Sequence, residues 1–401
     1  MILHRRRGPK GKSVSKGQRA IDSHLVIELT RELVRFPSVN PPGNEAEVAS
    51  FLAGRMRELG LEAETQTVQE GRSNVIGRLP GGSAPPLVFT GHVDVVPPGN
   101  QKWEHPPFDA ELVDGRIYGR GSADMKGGVA SIVAAMSALN GSQLDGDVIL
   151  AATCGEEAGM VGARAMVERG SFEPGGRLVV AEPTDLNVFH GEKGVLWLKV
   201  RALGRTAHGS MPHLGINAIN AIATLIPRLN GYPFPYEESA LLGKPSLSVN
   251  VIQGGNKINV IPDFCEIEVD MRTIPGQDHA AMTDAVRKLA DDVARDFEGL
   301  RMEIDVISDV SSLETDSSHE LVLDIVKSVR SVRGADPEVG GVAYATDGAH
   351  LGPGFNMPVV ICGPGAPGMA HQPDEYVETQ QLTDAAEIYV DLALRTLVDG
   401  R

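Results

Sequence analysis

The sequence predicts an α/β fold: a mixed, largely parallel sheet flanked by helices, interrupted by a smaller domain of βαββαβ order. Three observations predict it. Short apolar runs at 87–90, 148–153, 178–181 and 359–362 read as buried strands, because a strand covered on both faces loses its polar alternation. Helical stretches lie between some of them, at 129–139 and 163–169, and such alternation builds parallel sheets. The middle of the chain then changes character, with strands and helices in the order of a split βαβ, ferredoxin-like unit.

Taken in order, the ordered chain begins near Ala20. Ile21, Leu25, Leu29 and Leu33 recur at helical spacing until Phe36-Pro37 stops the run. Asn44, with Glu47 three residues on, suits the cap of a second helix carrying Phe51, Leu52, Met56 and Leu59 and ended by Gly60. After the first set of strands, 195–203 reads as a strand, 216–229 as a helix and 246–253 as a strand. Residues 264–272 alternate cleanly, with Cys265, Ile267, Val269 and Met271 on one side. A helix over 280–297 and a strand over 301–307 complete the unit, and a helix at 321–332 resumes the first pattern. The expected division is a basic, disordered tail at 1–19, an α/β domain of 20–188 and 306–401, and an inserted domain of 189–305.

Composition narrows the function. At 401 residues the chain exceeds what one core usually serves, so two domains are expected. Its 37 basic and 53 acidic residues give −16, and residues 1–20 hold seven of the bases and no acid. The acidic body argues against nucleic acid or an anionic membrane as partner, because phosphate binding needs a basic surface. Cys154, Cys265 and Cys362 are far apart and odd in number, which excludes a disulfide framework and a cysteine-based zinc site. A reducing cytoplasm is the simplest compartment. No apolar run approaches the roughly 18 residues of a membrane span. Arg5-Arg6-Arg7 looks like the start of a signal peptide, but no apolar stretch follows it.

The chemistry-bearing residues sit where strands end, which is where open α/β sheets gather ligands. The run at 87–90 leads into Gly91-His92-Val93-Asp94, and that at 148–153 into Cys154-Gly155-Glu156-Glu157. The run at 178–181 ends in Glu182-Pro183-Thr184, and that at 359–362 precedes Ala370-His371-Gln372-Pro373-Asp374-Glu375. Between the first two lies Gly119-Arg120-Gly121-Ser122-Ala123-Asp124-Met125-Lys126-Gly127-Gly128. Two imidazoles with several carboxylates and no thiolates form a ligand set for Zn, Mn or Co. Carboxylates in excess of one ion's charge point to two metals sharing a bridging carboxylate. One carboxylate left unliganded is then needed to carry a proton to the leaving amine.

These five segments, in this order and over nearly the whole chain after residue 20, resemble the co-catalytic metallopeptidase family of acetylornithine deacetylase, succinyl-diaminopimelate desuccinylase, aminoacylase and glutamate carboxypeptidase. The resemblance implies a zinc-exopeptidase-like fold and an inserted lid and dimerisation domain, hence a homodimer. It implies that His92 and Glu182 hold one metal, Glu157 and His371 the other, and that Asp124 bridges them, with a cis peptide after Asp124. It gives Asp94 a hydrogen bond to the far nitrogen of His92 and makes Glu156 the general base and acid. In the lid, Gly204-Arg205-Thr206-Ala207-His208 resembles the segment whose histidine stabilises the oxyanion in a neighbouring protomer. Asn259 and Arg272 match positions that bind substrate carboxylate, and Thr346-Asp347-Gly348 resembles a substrate-contacting loop.

Plainer readings stand beside these. Asp94 also suits a turn before Pro97-Pro98, and Arg272 also suits a pair with Asp270. The glycine-rich block at 119–128 lacks the spacing of a phosphate loop. The expected function is hydrolysis of the amide bond of N-acyl amino acids by a two-metal-activated water with Glu156 as base. Zn is the first choice of metal, with Co or Mn as alternatives. A metallo-carboxypeptidase or dipeptidase acting on short peptides is the alternative within the family. A non-catalytic binding protein on this fold is the alternative outside it, and it would be expected to lack the base or a ligand, none of which is missing here.

Overall fold

A computed structural model of the chain describes residues 20–398. The expected tail at 1–19 lies outside the described residues. The first helix, Ser23–Val34, starts where the Asp22 carboxylate accepts the Leu25 N–H at 3.1 Å, satisfying an amide the helix itself leaves unpaired. The second, Ala46–Glu58, departs from expectation at its start: Asn44 does not cap it, and Glu45 occupies the cap position without a side-chain bond to the helix. The Glu45 carboxylate instead takes two bonds from Arg72, at 3.0 Å from Nε and 2.7 Å from Nη2. A buried guanidinium fork outcompetes a helix amide for a carboxylate.

The large sheet has nine strands. In space it runs Glu62–Gln69, Arg72–Leu79, Gly146–Thr153, Ala84–His92, Arg177–Pro183, Val359–Gly363, Val188–Glu192 and Leu313–Glu314, with Val339–Val342 beside Val188–Glu192. Its four central strands are mutually parallel, and they contain the four apolar runs of the sequence. Glu62–Gln69 escaped the apolar criterion because it is a mostly polar, solvent-facing edge strand. Alternate residues feed two layers. Leu87, Phe89, Val148, Leu150, Val179 and Val360 pack under helices that include Ser23–Val34, Gly127–Leu139, Glu320–Arg333 and Thr379–Leu397. Val88, Ile149, Leu178, Val180 and Ile361 pack on the other side with Ala163, Met166 and Leu351. This is the covered, doubly apolar strand that the sequence pattern implied.

Residues 194–310 form a separate antiparallel sheet in the spatial order Ser246–Gly254, Phe264–Thr273, Gly194–Leu203, Arg301–Val310. Helices Ala218–Asn230 and His279–Ala294 share one hydrophobic cluster with Cys265, Ile267, Val269 and Met271 of the central strand. The strand order is that of the split βαβ unit. Val188–Glu192 still pairs in the large sheet and Arg301–Val310 lies in the small one. The chain therefore crosses between sheets at Lys193 and after Val310, against the expected limits of 189 and 305.

Candidate metal centre

The parallel strands all point their carboxyl ends at one edge, and the ligand-type residues meet there. His92 is the last residue of Ala84–His92, with Nε2 3.1 Å from Asp124 Oδ1 and 3.7 Å from Glu182 Oε1. Asp124 sits in the turn Ser122–Lys126, followed by a cis peptide to Met125. Its second oxygen, Oδ2, lies 3.4 Å from His371 Nε2, which is also 3.2 Å from Glu157 Oε1. One carboxylate thus faces an imidazole from each of its oxygens. Ligand atoms of His92, Asp124 and Glu157 lie within 4.8 Å of one another, as do those of His92, Glu156 and Glu182. The five residues expected to hold metal are brought together, with Glu156 beside them.

Asp94 corrects the expectation. The near acceptor for His92 Nδ1 is the Asp94 backbone carbonyl at 2.9 Å, whereas the carboxylate is 3.6 Å away. A carbonyl acceptor still places the proton on Nδ1 and leaves Nε2 free to ligate. The carboxylate is drawn off by amides: Gly155 and Glu156 N–H donate to Oδ1 at 2.9 and 3.1 Å, Glu157 N–H to Oδ2 at 3.2 Å, and Asn40 Nδ2 at 2.8 Å. Those amides begin a short turn and have no intrahelical partner, so a buried anion is their natural acceptor. Gly155 has φ +76°, and a Cβ there would lie 2.5 Å from Arg72 Nη2, so the turn needs glycine.

The electrostatics follow from crowding acids into a dry site. Burial alone would push the His92 imidazolium down, but Asp124, Glu182 and Asp94 outweigh it and hold its pKa well above the usual value. Asp124 and Glu157 raise His371 to about 10. Burial works to raise Asp124, yet the two imidazoles hold it well below the ordinary carboxylate range. Burial, joined by Asp124, pushes Glu182 well up, and burial with Glu182 and Asp347 does the same to Glu156. Acids that repel one another around two imidazoles suit divalent cations, which would relieve that repulsion.

The remaining expected residues bond to other partners. His208 is exposed, with Nδ1 2.7 Å from Ser210 Oγ, and its two-residue strand pairs with Val260–Ile261. The Asn259 carbonyl accepts the Gly209 N–H at 2.8 Å, so His208 and Asn259 share one ribbon. Arg272 pairs with Asp270 at 2.9 and 3.2 Å, the plainer of its two readings. Thr346 is fully buried and its hydroxyl donates to Glu192 Oε2 at 2.8 Å while accepting the Gly348 N–H at 3.0 Å. Thr346 and Gly348 thus share an internal hydrogen-bond chain that ends on the buried Glu192. Among the described residues, no hydrogen bond or ion pair joins His208, Asn259, Arg272 or Thr346 to the clustered acids and imidazoles.

Sequence reasoning missed several supports. Glu375 and Arg120 lie inside quoted motifs, and Glu45 with Arg72 lies outside any. Asp347, whose carboxylate takes the Thr153 hydroxyl, is raised by burial to about 7. The only signal for the first pair is a charged residue within a Gly- or Pro-rich ligand segment.

An α/β sheet whose carboxyl edge carries two imidazoles around a shared carboxylate defines a hydrolase of the metal-centred type. The chain belongs to peptidase family M20/M25/M40, whose sequence profile matches residues 88–395, and it is an amidohydrolase. It is 30% identical over 406 residues to a probable succinyl-diaminopimelate desuccinylase of Staphylococcus aureus (strain N315), covering 92% of this chain and 97% of that one. It is 30% identical over 374 residues to an acetylornithine deacetylase of Salmonella arizonae, covering 90% and 95%. Among solved structures, the M20 family metallo-carboxypeptidase Sso-CP2 of Sulfolobus solfataricus superposes with a TM-score of 0.79 at 20% identity, over 92% of this chain and 98% of that one. A dinuclear metal-binding M20 peptidase of Bacillus subtilis gives 0.70 at 20% identity, over 94% and 98%. Among the described residues no helix is long and apolar enough to cross a membrane.

Proposed function

We propose that this chain hydrolyses the amide bond of N-acyl amino acids, using two divalent ions and Glu156. The observation that carries this is Asp124, whose two oxygens face His92 and His371 at 3.1 and 3.4 Å. His92 and Glu182 would hold one ion, Glu157 and His371 the other, with Asp124 common to both. Zn fits this mixed nitrogen and oxygen donor set, as do Co and Mn. Bound there, the ions would polarise the scissile carbonyl and acidify water. Glu156 takes the proton of the attacking water and returns it to the leaving nitrogen, and burial raises its carboxyl above the ordinary carboxylate range. Asp94 keeps Nε2 of His92 free and holds the Glu156 amide in place.

In this reading residues 194–310 act as a lid and as the surface of a homodimer. His208 steadies the oxyanion from a neighbouring protomer, and Asn259 and Arg272 take the substrate carboxylate. Arg272 exchanges Asp270 for that carboxylate, to which its fork is equally suited. The names of the two relatives at 30% identity support an N-acyl amino acid substrate. Three buried, unpaired cysteines agree with a reducing cytoplasm. The test is a hydrolysis panel on metal-loaded protein with N-acetylornithine, N-succinyl-diaminopimelate, other N-acyl amino acids and dipeptides. Turnover of an N-acyl amino acid is expected. Turnover of dipeptides alone would move the assignment to a peptidase, and no amide hydrolysis by protein holding two ions would overturn it.

A further inference from the structure

The two imidazoles that face Asp124 stand on different footings. His92 ends a central strand and is almost wholly buried, with its Nδ1 anchored by Asp94. His371 sits on a loop with φ +65° and a side chain 52% exposed. A ligand on a loop needs an outside anchor if its nitrogen is to stay within reach of a cation.

That anchor is a buried ion pair. Arg120 Nη1 donates to Glu375 Oε2 at 2.5 Å, and Arg120 Nη2 donates to the His371 carbonyl at 3.2 Å. The other oxygen, Glu375 Oε1, accepts the N–H groups of Gly121, Ala123 and Asp124, each at 3.0 Å. Glu375 is fully buried and Arg120 nearly so, with Trp103 5.2 Å from its guanidinium carbon. One end of the pair therefore grips the turn that carries Asp124, and the other grips the backbone of His371. The planar guanidinium makes both contacts at a fixed spacing, which a lysine ammonium cannot do.

We propose that Arg120 and Glu375 are positioning residues that set the separation of Asp124 and His371, so that losing Arg120 weakens the cation held by Glu157 and His371 and spares the one held by His92 and Glu182. This rests on the two-ion reading above. A pair that only stabilised the fold would lower stability without splitting the two affinities.

The experiment titrates metal-free protein with Zn(II), against a competing chelator, for the wild type, Arg120→Lys, His371→Ala and the double variant. Lysine keeps the charge beside Glu375 but lacks the second nitrogen that reaches the His371 carbonyl. The wild type is expected to take up two ions. In Arg120→Lys the first ion should bind within about threefold of wild type and the second about 10–100-fold more weakly, the usual effect of removing a ligand's outer support. On the His371→Ala background, Arg120→Lys should change nothing further, because its effect passes through His371. Glu375→Gln keeps an acceptor for the three amides while loosening Arg120, and should show the same split. Equal weakening of both ions, unchanged affinities, or additive losses in the double variant would overturn the inference while leaving the two-ion reading intact. Wild-type protein that binds fewer than two ions would overturn that reading, and this inference with it.

Discussion

Asp94 reaches His92 through its backbone carbonyl, 2.9 Å from Nδ1, and directs its carboxylate to the amides of Gly155, Glu156 and Glu157. A single residue therefore fixes the tautomer of His92 with its main chain and the turn carrying Glu156 with its side chain. The two tasks are separable by mutation.

Asp94→Ala keeps the carbonyl and removes the carboxylate. Nitrogen NMR of the His92 ring should still report a proton on Nδ1, while activity falls about 10–100-fold through the loosened turn. A shift of the proton to Nε2 would show that the carboxylate, not the carbonyl, sets the tautomer.

Glu156→Gln keeps shape and removes the proposed proton carrier. Turnover should fall about 10²–10⁴-fold, with metal content per chain unchanged when measured by elemental analysis. Undiminished turnover of the substrate would remove Glu156 from the reaction.

Glu192 provides a pH test away from the proposed ligands. Burial raises its pKa to about 8 despite its bond to Thr346, so the folded state prefers the protonated acid. Its stabilising contribution is fully present below its unfolded pKa, near 4.3, and is lost as pH rises through about 8. Glu192→Gln mimics the protonated form and keeps an acceptor for Thr346. Urea titrations of both proteins at acid and alkaline pH should show the variant gaining on wild type as pH rises. A difference that stays constant across that window would refute the argument.

Removing metal should destabilise the protein, because the folded site would bind ions and the unfolded chain scarcely would. Free metal at a hundred times its Kd adds about 2.7 kcal/mol per site, worth several degrees of Tm in a chain of this size. Thermal melts with and without a chelator measure it. An unchanged Tm in protein shown to load two ions would contradict the coupling.

Much of the centre was legible beforehand for one reason. Parallel strands align their carboxyl ends, so His92, Glu182 and the Glu156-Glu157 pair, each following an apolar run, had to meet at one edge. The alternation of Cys265, Ile267, Val269 and Met271 likewise determined which face of its strand is buried. The small sheet was readable from element order alone.

What the sequence could not determine was which donor each acid would take. Glu45 passes over its own helix for Arg72, Thr346 turns inward to Glu192, and Glu375 binds the amide of Asp124 from 251 residues away. Local pattern lists residues able to hydrogen-bond. The winner among competing partners is decided by distance and burial, because a buried polar group left unpaired costs about 1–3 kcal/mol. Those quantities exist only once distant segments have packed. The sequence by itself determined the donor set and the edge where it gathers, and the tertiary structure decided how that set is held.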